Sequence, residues 1–537
     1  MHNLVKMKQL HLHIWGGTRR LLCALLFPVL WGAGVEASAQ ERLLNAADME
    51  YASAYGGHDY GLASVGAKFQ SGNFHKAQDA ADKTGIFFDA EGERQVGIFR
   101  LKGDFRFTQS FENGVKYAST FDPLRAMPYV IADSTGGNWQ KQHYDMWADM
   151  SVPIVKGRLY GGFGVDIEVG RGAKKVDPRP QAGMCRIELK PSLSFSFAPG
   201  FSVSAGFIYS LYRESSNLIL YDSSVPQKLY LLKGLGQYTY EIFGSTERER
   251  KYEGNTLGGT VDLRYTDELG TLSIYGEYRN GLEKVLDIDY NKPHHRGNYY
   301  THDFRTGCDV SIPMYGHYRN GLGLKIEYSG LRHSGREFVQ HFDSSSDVNG
   351  WVTDSELPGR YTNREDHLFS SATWFLNDSD KFRRNWAFTI EAEINNCVQE
   401  YRAAAAKETI KNYRYALAVQ KYVFTRRGVF DVTLKGKVSR GNGSSLEYTP
   451  REREDTNIAV GLIDHDFALP SNWYSGDLDL GYTWMLKRGN ALRLQAQAFF
   501  KDSGRNRLTA GENGLDADSA PGRWWRAGYA LGLAFKF

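Results

Sequence analysis

The sequence predicts an all-β protein: a transmembrane, antiparallel, up-and-down β-barrel of about eighteen strands. Three observations carry the prediction. Period-two alternation of apolar and polar residues recurs along the chain, often over ten or more positions. The connections between these segments alternate between short and long. After the first 39 residues, no run of about 18 apolar residues offers a membrane helix. The 537 residues are 14% aromatic and include 32 Tyr and 57 Gly. A mean hydropathy of −0.47 is compatible with a membrane protein, because a barrel hides its apolar residues by alternation.

Residues 1–39 read as a secretory signal. Arg19 and Arg20 form the positive region, Leu21 to Val35 the apolar region, and Ala37-Ser38-Ala39 a small-residue cleavage site before Gln40. Cys23 opens the apolar run instead of following a lipobox, which argues against a lipoprotein. Cleavage removes four basic residues and one acidic residue, so the formal charge of +3 falls to zero in the mature chain. That balance offers nothing to a nucleic acid. Cys185, Cys308 and Cys397 remain, widely spaced and odd in number, forming neither a disulfide framework nor a metal-ligand spacing. Residues 40–60 make a short N-terminal periplasmic segment, and 61–537 the barrel.

Leu62–Ser71 and Gly85–Ala90 are the faintest strands. From Val96 the pattern strengthens: Phe99, Leu101, Gly103, Phe105 and Phe107 face one way, with Arg100, Lys102, Asp104 and Arg106 between them. Tyr144–Val152 and Leu159–Glu168 follow. In Arg186–Phe197 the residues Ile187, Leu189, Leu193, Phe195 and Phe197 alternate with Glu188, Lys190, Ser192, Ser194 and Ser196. The same rule marks Phe201–Tyr212, Asn255–Thr266, Thr271–Arg279, Tyr300–Ile312, Gly321–Ser329, His367–Phe375, Trp386–Val398, Tyr413–Val423, Val429–Ser439, Asp477–Met485, Ala491–Phe500 and Trp524–Phe537. Short turns such as 156–157, 199–200 and 267–270 alternate with long connections at 111–142, 213–254, 280–299, 330–366, 440–476 and 501–523. The first two strands bring the total to eighteen. The alternative is sixteen strands with a periplasmic or plugging N-terminal segment.

In the last strand, RWWRAGYALGLAFKF, Tyr529, Leu531, Leu533, Phe535 and Phe537 line one face and small or charged residues the other. This ending resembles the C-terminal signature of bacterial outer-membrane barrels, which implies that those five residues form an insertion signal read by the barrel-insertion machinery. The expected location is the bacterial outer membrane, in contact with its lipids. A soluble all-β protein such as a propeller is the competing fold, but no internal repeat of propeller length is visible.

The polar faces of the strands predict a charged lumen lined by Asp145, Asp149, Asp166, Glu168, Arg186, Glu188, Lys190, Asp262, Arg264, Glu277, Asp303, Arg305, Lys325, Glu327, Glu391, Glu393, Lys435, Asp477, Asp479 and Arg493. Mixed charge beside water makes a transverse field that sorts polar solutes. Equally, such residues form salt bridges that keep a closed interior wet. A barrel this wide leaves a channel unless something fills it, and the connections 213–254 and 330–366 are long enough to fold inward.

Weaker constellations carry no assignment. His294-His295, and His333 with His341 and Asp343, are suitable transition-metal ligands, although solvated loop histidines are commoner. Asp464-His465-Asp466 resembles an omptin-like acid–base group that needs partners across the barrel. A Ser/His/Asn lipase arrangement has no motif support, no phosphate loop is present, and Arg451 to Asp455 reads as a solvated loop tip. No catalytic, metal or cofactor site is therefore expected.

The presequence, the Phe-terminated strand and the long-loop barrel layout resemble the outer-membrane barrel proteins of Bacteroidota grouped as DUF6850. The resemblance covers Gln40 to Phe537 and implies an integral outer-membrane protein without naming a substrate. No TonB box or plug domain precedes the barrel, which departs from active receptors and argues against energised uptake by this chain alone. The leading expectation is a channel or transport-associated barrel for small polar solutes. The alternatives are a closed barrel that binds a lipoprotein or receptor partner, and an outer-membrane hydrolase.

Overall fold

The computed structural model describes residues 59–537 except 223, 245–246, 290–291, 313–319, 346, 348, 379–382, 443, 449–471, 487–489 and 504–523. The predicted signal and nearly all of 40–60 lie outside the described residues, as do Asp464-His465-Asp466 and Arg451 to Asp455.

Eighteen strands form one closed antiparallel barrel: β1 (Tyr60–Gly72), β2 (Asp82–Val96), β3 (Phe99–Val115), β4 (Gly137–Val155), β5 (Leu159–Lys174), β6 (Arg179–Ala198), β7 (Phe201–Ile219), β8 (Glu247–Thr266), β9 (Thr271–Asp289), β10 (Lys292–Ile312), β11 (Asn320–Asp343), β12 (Gly350–Asp378), β13 (Arg383–Tyr401), β14 (Ala406–Phe424), β15 (Gly428–Gly441), β16 (Trp473–Met485), β17 (Ala491–Asp502) and β18 (Trp525–Lys536). Each strand pairs with its neighbour in sequence. β18 returns to β1, from Leu62↔Lys536 to Gly72↔Arg526. Closure leaves no unpaired sheet edge, which a hydrocarbon layer demands. The count is eighteen, not sixteen, because the two faint N-terminal segments form β1 and β2.

Alternation divides the side chains between two faces. Outside lies an apolar belt that includes Phe99, Leu263, Ile326, Ile390, Leu417, Leu494 and Leu531, all exposed on the isolated chain. Apolar outside and charged inside is the inverse of a soluble sandwich, whose apolar faces meet in a dry core.

The two rims differ. At one, the strands join through short connections such as 97–98, 156–158 and 199–200. At the other, the expected long connections 280–299 and 330–366 are mostly strand. β9 and β10 pair out to Asp289↔Lys292, and β11 and β12 out to Asp343↔Gly350. These hairpins rise well beyond the 9–11 residues a bilayer needs, where water takes the place of lipid and the apolar alternation used to recognise strands fades. The connections at 116–136 and 220–246 follow another course: they turn into the barrel.

Candidate functional site

The site is the filled upper lumen, at the rim with the long connections. Segment 116–136 reads KYASTFDPLRAMPYVIADSTG, too apolar between Ala126 and Ala132 for a solvated loop. Phe121, Met127, Tyr129, Val130, Ile131 and Ala132 are all buried. Burying a large apolar side chain contributes roughly 1.5–3 kcal/mol, which draws the segment inward. It does not enter alone. Gln227–Gly234 and Gln237–Phe243 form a hairpin, and the short strand Ile131–Ala132 pairs with it at Leu231 and Tyr230. Leu235 and Gly236 turn the hairpin with φ of +48° and +64°.

The wall is shaped to receive these segments. A Cβ on Gly170 of β5 would stand 2.5 Å from the Phe121 ring. A Cβ on Gly297 of β10 would stand 3.0 Å from the Tyr129 ring, and one on Gly335 of β11 would collide with the Tyr129 hydroxyl. Tyr212, Tyr252, Tyr299, Tyr361 and Tyr401 from the wall join the same buried cluster as Phe121, Tyr129, Tyr230 and Leu232. The inserted segments thus touch the wall from β5 round to β13, spanning the lumen.

Polar anchors fix the packing. The Phe121 N–H donates to Glu214 at 2.7 Å. Lys174 donates to both carboxylate oxygens of Asp133 at 2.9 Å and to the Thr135 carbonyl at 3.0 Å. Burial pushes the Asp133 carboxyl up to about 6 against the opposing pull of Lys174. The Tyr252 hydroxyl donates to the Tyr129 carbonyl at 3.2 Å. On the hairpin, Lys233 pairs with Glu337 at 3.1 Å, while Glu241 accepts from Arg248 and Arg296, each at 2.8 Å.

Arg125 is the segment's charged tip. Its Nη1 donates to both carboxylate oxygens of Glu283 at 2.7 and 2.9 Å, and its Nη2 lies 3.7 Å from Glu214. Its guanidinium carbon is 4.6 Å from the Tyr212 ring centre and 4.8 Å from that of Tyr252. Burial favours the neutral form, but Glu283, Tyr212 and Glu214 override it and hold the guanidinium above its ordinary range.

The twenty residues expected in the lumen lie on the face opposite the apolar belt, some of them beside the inserted segment: Glu168 bonds His143, whose ring centre is 5.6 Å from that of Phe121. Lys190 pairs with Asp166 at 2.5 Å and with Glu188 at 2.9 Å; Glu188 also takes Arg279 at 2.7 Å, which reaches on to Glu277. Glu168 takes His143 and Arg186. Asp262 accepts from Ser273 and approaches Arg264. Glu327 is shared by Tyr275, Arg305 and Lys325. Lys435 pairs with Glu391 at 2.8 Å, and Glu393 takes Lys437 and Arg414. Arg493 grips Asp431 at 2.6 and 2.9 Å, and Asp479 accepts from Gln495 and Gln497. Asp145, Asp149 and Asp477 face Arg106, Lys102 and Lys435 in register. The pairs run along the wall, not across the lumen. Several bridge over an intervening strand whose residue is small: Arg493 reaches Asp431 over Gly481, where a Cβ would stand 2.6 Å from the Asp431 carboxylate.

The histidines do not converge. His294 and His295 lie in β10, not in a loop, and stack on Trp351 (ring centres 3.7 Å apart) and Phe338 (4.1 Å). His333 bonds Asp303 at 2.6 Å and the Tyr299 hydroxyl at 3.0 Å, while His341 pairs with Asp354. No group of three or more metal-ligating side chains forms among the described residues.

Sequence reading missed Arg125, Asp133, Lys174, Glu214, Arg250, Glu283 and Asp287. Their one visible signal was the apolar run AMPYVIA inside a predicted long loop.

No curated protein matches this sequence. Among solved structures, the chain is similar to the FrpB iron transporter from Neisseria meningitidis (9% identity, 92% of this chain and 83% of that one covered, TM-score 0.40). It is also similar to the outer membrane transporter YddB from Escherichia coli (8%, 89% and 81%, 0.39) and to a Pseudomonas aeruginosa FadL homologue (12%, 92% and 92%, 0.30). Likeness at this level carries no ligand or substrate over. A family model matches residues 51–535, nearly the whole length, so the chain belongs to the family of unknown function DUF6850.

Proposed function

We propose that this protein is an outer-membrane channel or transport-associated barrel for small polar solutes, closed at rest by its own inserted segments. The observation that supports this most directly is the way the lumen is filled. Segment 116–136 and the hairpin 227–243 are held to the wall by ion pairs, hydrogen bonds and a shared buried apolar cluster, but by no ladder to the eighteen strands among the described residues, so they can withdraw together without breaking the barrel's strand pairing. Beneath them the wall is charged and polar, a surface suited to hydrated solutes. Export by a signal at 1–39 and insertion through the Phe537-terminated strand belong to the same proposal.

Conductance in planar bilayers tests the reading. The intact protein is expected to be mostly closed, and replacement of 226–244 by a short Gly/Ser linker is expected to give stable open currents. A folded barrel that stays non-conducting with both inserted segments removed would refute the channel.

A second reading, a closed barrel that binds a lipoprotein or receptor partner, is favoured by the β9–β10 and β11–β12 hairpins, which rise above the rim. Stoichiometric co-purification that is lost on trimming 337–356 would support it. The hydrolase reading would draw on the His333–Asp303, His341–Asp354 and His143–Glu168 pairs; the other ring nitrogen of His333 meets a buried tyrosine, and no serine hydroxyl bonds that imidazole among the described residues.

A further inference from the structure

The position of Arg125 says what the upper lumen is built to hold. Two carboxylates, Glu214 and Glu283, and two ring faces, Tyr212 and Tyr252, surround the guanidinium, and all four belong to the wall strands β7, β8 and β9, not to the inserted segment. Carboxylates paired with aromatic faces form a cage for an organic cation: the rings attract it through their negative faces, and the acids supply the counter-charge.

We infer that Arg125 occupies, in the manner of a tethered ligand, a wall site for solutes bearing a guanidinium or primary ammonium group. This rests on the reading of the lumen as a solute path. The wall residues would be costly without an occupant, because withdrawal of the segment leaves two neighbouring carboxylates with no cation between them. Neither neighbouring wall cation neutralises them: Arg186 on β6, 5.8 Å from the Tyr212 ring centre, pairs with Glu168 at 3.0 Å, and Arg250 on β8 is no freer. It is committed to Asp287 at 2.5 and 2.8 Å.

The tether also fits imperfectly. Arg125 satisfies Glu283 with two hydrogen bonds, yet its Nε and Nη2 are buried without a hydrogen-bond partner, and 3.7 Å is too long for a bond to Glu214. A free guanidinium is not held by a loop backbone. It can settle between the two carboxylates and bond both, so it can compete with the tether even though the tether has the advantage of high effective concentration.

The test is equilibrium binding of agmatine, which carries a guanidinium and an ammonium, to the full-length folded protein in detergent by titration calorimetry. Heat-modifiable gel mobility verifies the barrel for every variant. Arg125→Ala is expected to bind agmatine at least tenfold more tightly than the wild type. Glu283→Gln added to it should lose at least tenfold, and glutarate should not bind any of them. Arg125→Gln, which keeps the volume and removes the charge, repeats the measurement should the alanine variant misfold. Agmatine binding that is no tighter in the folded charge-removed variants, or is indifferent to Glu283→Gln, overturns the inference. Conductance is a separate readout. A barrel that binds agmatine but never conducts sinks the channel and keeps the cage, while one that conducts without binding sinks the cage alone.

Discussion

Asp133 couples the inserted segment to pH. Its carboxyl is pushed up to about 6 in the docked segment, against 3.8 for an ordinary aspartate. The docked state therefore binds a proton more tightly than a released segment does. Docking is strongest below pH 3.8, weakens as pH rises through the window between 3.8 and 6, and is level above it, a total swing of up to about 3 kcal/mol. Open-state current should thus fall as pH drops from 7 to 4.5, and Asp133→Asn should flatten that dependence; a current that rises on acidification would contradict the assignment. Gly335 works by shape instead of charge. Gly335→Ala puts a methyl group where the Tyr129 hydroxyl lies, so docking should weaken by about 1–3 kcal/mol, read as a raised open probability with unchanged barrel melting.

At the scale of strands, small residues let charges meet across an intervening strand. Asp431 on β15 and Arg493 on β17 are both almost fully covered, and Gly481 on β16 leaves the space between them. Asp431→Ala strands the guanidinium and should cost about 3–5 kcal/mol, whereas Asp431→Leu combined with Arg493→Leu should recover most of that. Urea unfolding of the reconstituted barrel measures both. If the single and double variants were equally destabilised, the pair would not be what stabilises this part of the wall. The inserted hairpin obeys a different rule. Among the described residues its strands pair only with each other and with Ile131–Ala132, so its excision should leave the melting of the eighteen strands nearly unaltered.

The whole molecule depends on which face meets lipid. Leu417 on β14 belongs to the outer belt, and Leu417→Arg should destabilise the barrel by roughly 2–4 kcal/mol at mid-depth. Thr433 on β15 faces the lumen beside Asp431 and Lys435, and Thr433→Arg should cost clearly less. Equal penalties would mean that the two faces share one solvent. Closure through β1 and β18 makes these costs collective, since no strand can turn a side chain over without slipping its register by one residue and inverting its whole length.

The sequence alone determined the architecture. Alternation is imposed locally, residue by residue, by the need to face lipid on one side and water on the other, so Ile187 to Phe197 or Leu531 to Phe537 could be assigned to a face without knowing any partner. Parity and turn length then placed eighteen strands, including the faint first pair. The hairpins 280–299 and 330–366 look like loops in sequence because above the bilayer both faces are wet and the alternation that marks a strand disappears. Only the tertiary structure decided what fills the lumen. Arg125 and Glu283 are 158 residues apart in sequence, and so far as local pattern goes each looks like an ordinary solvated charge. The fit of Tyr129 against Gly297 and Gly335 likewise exists only once the closed wall brings distant strands around one segment. Such contacts leave no periodicity, because they are made once, across the barrel, between residues that share neither a strand nor a turn.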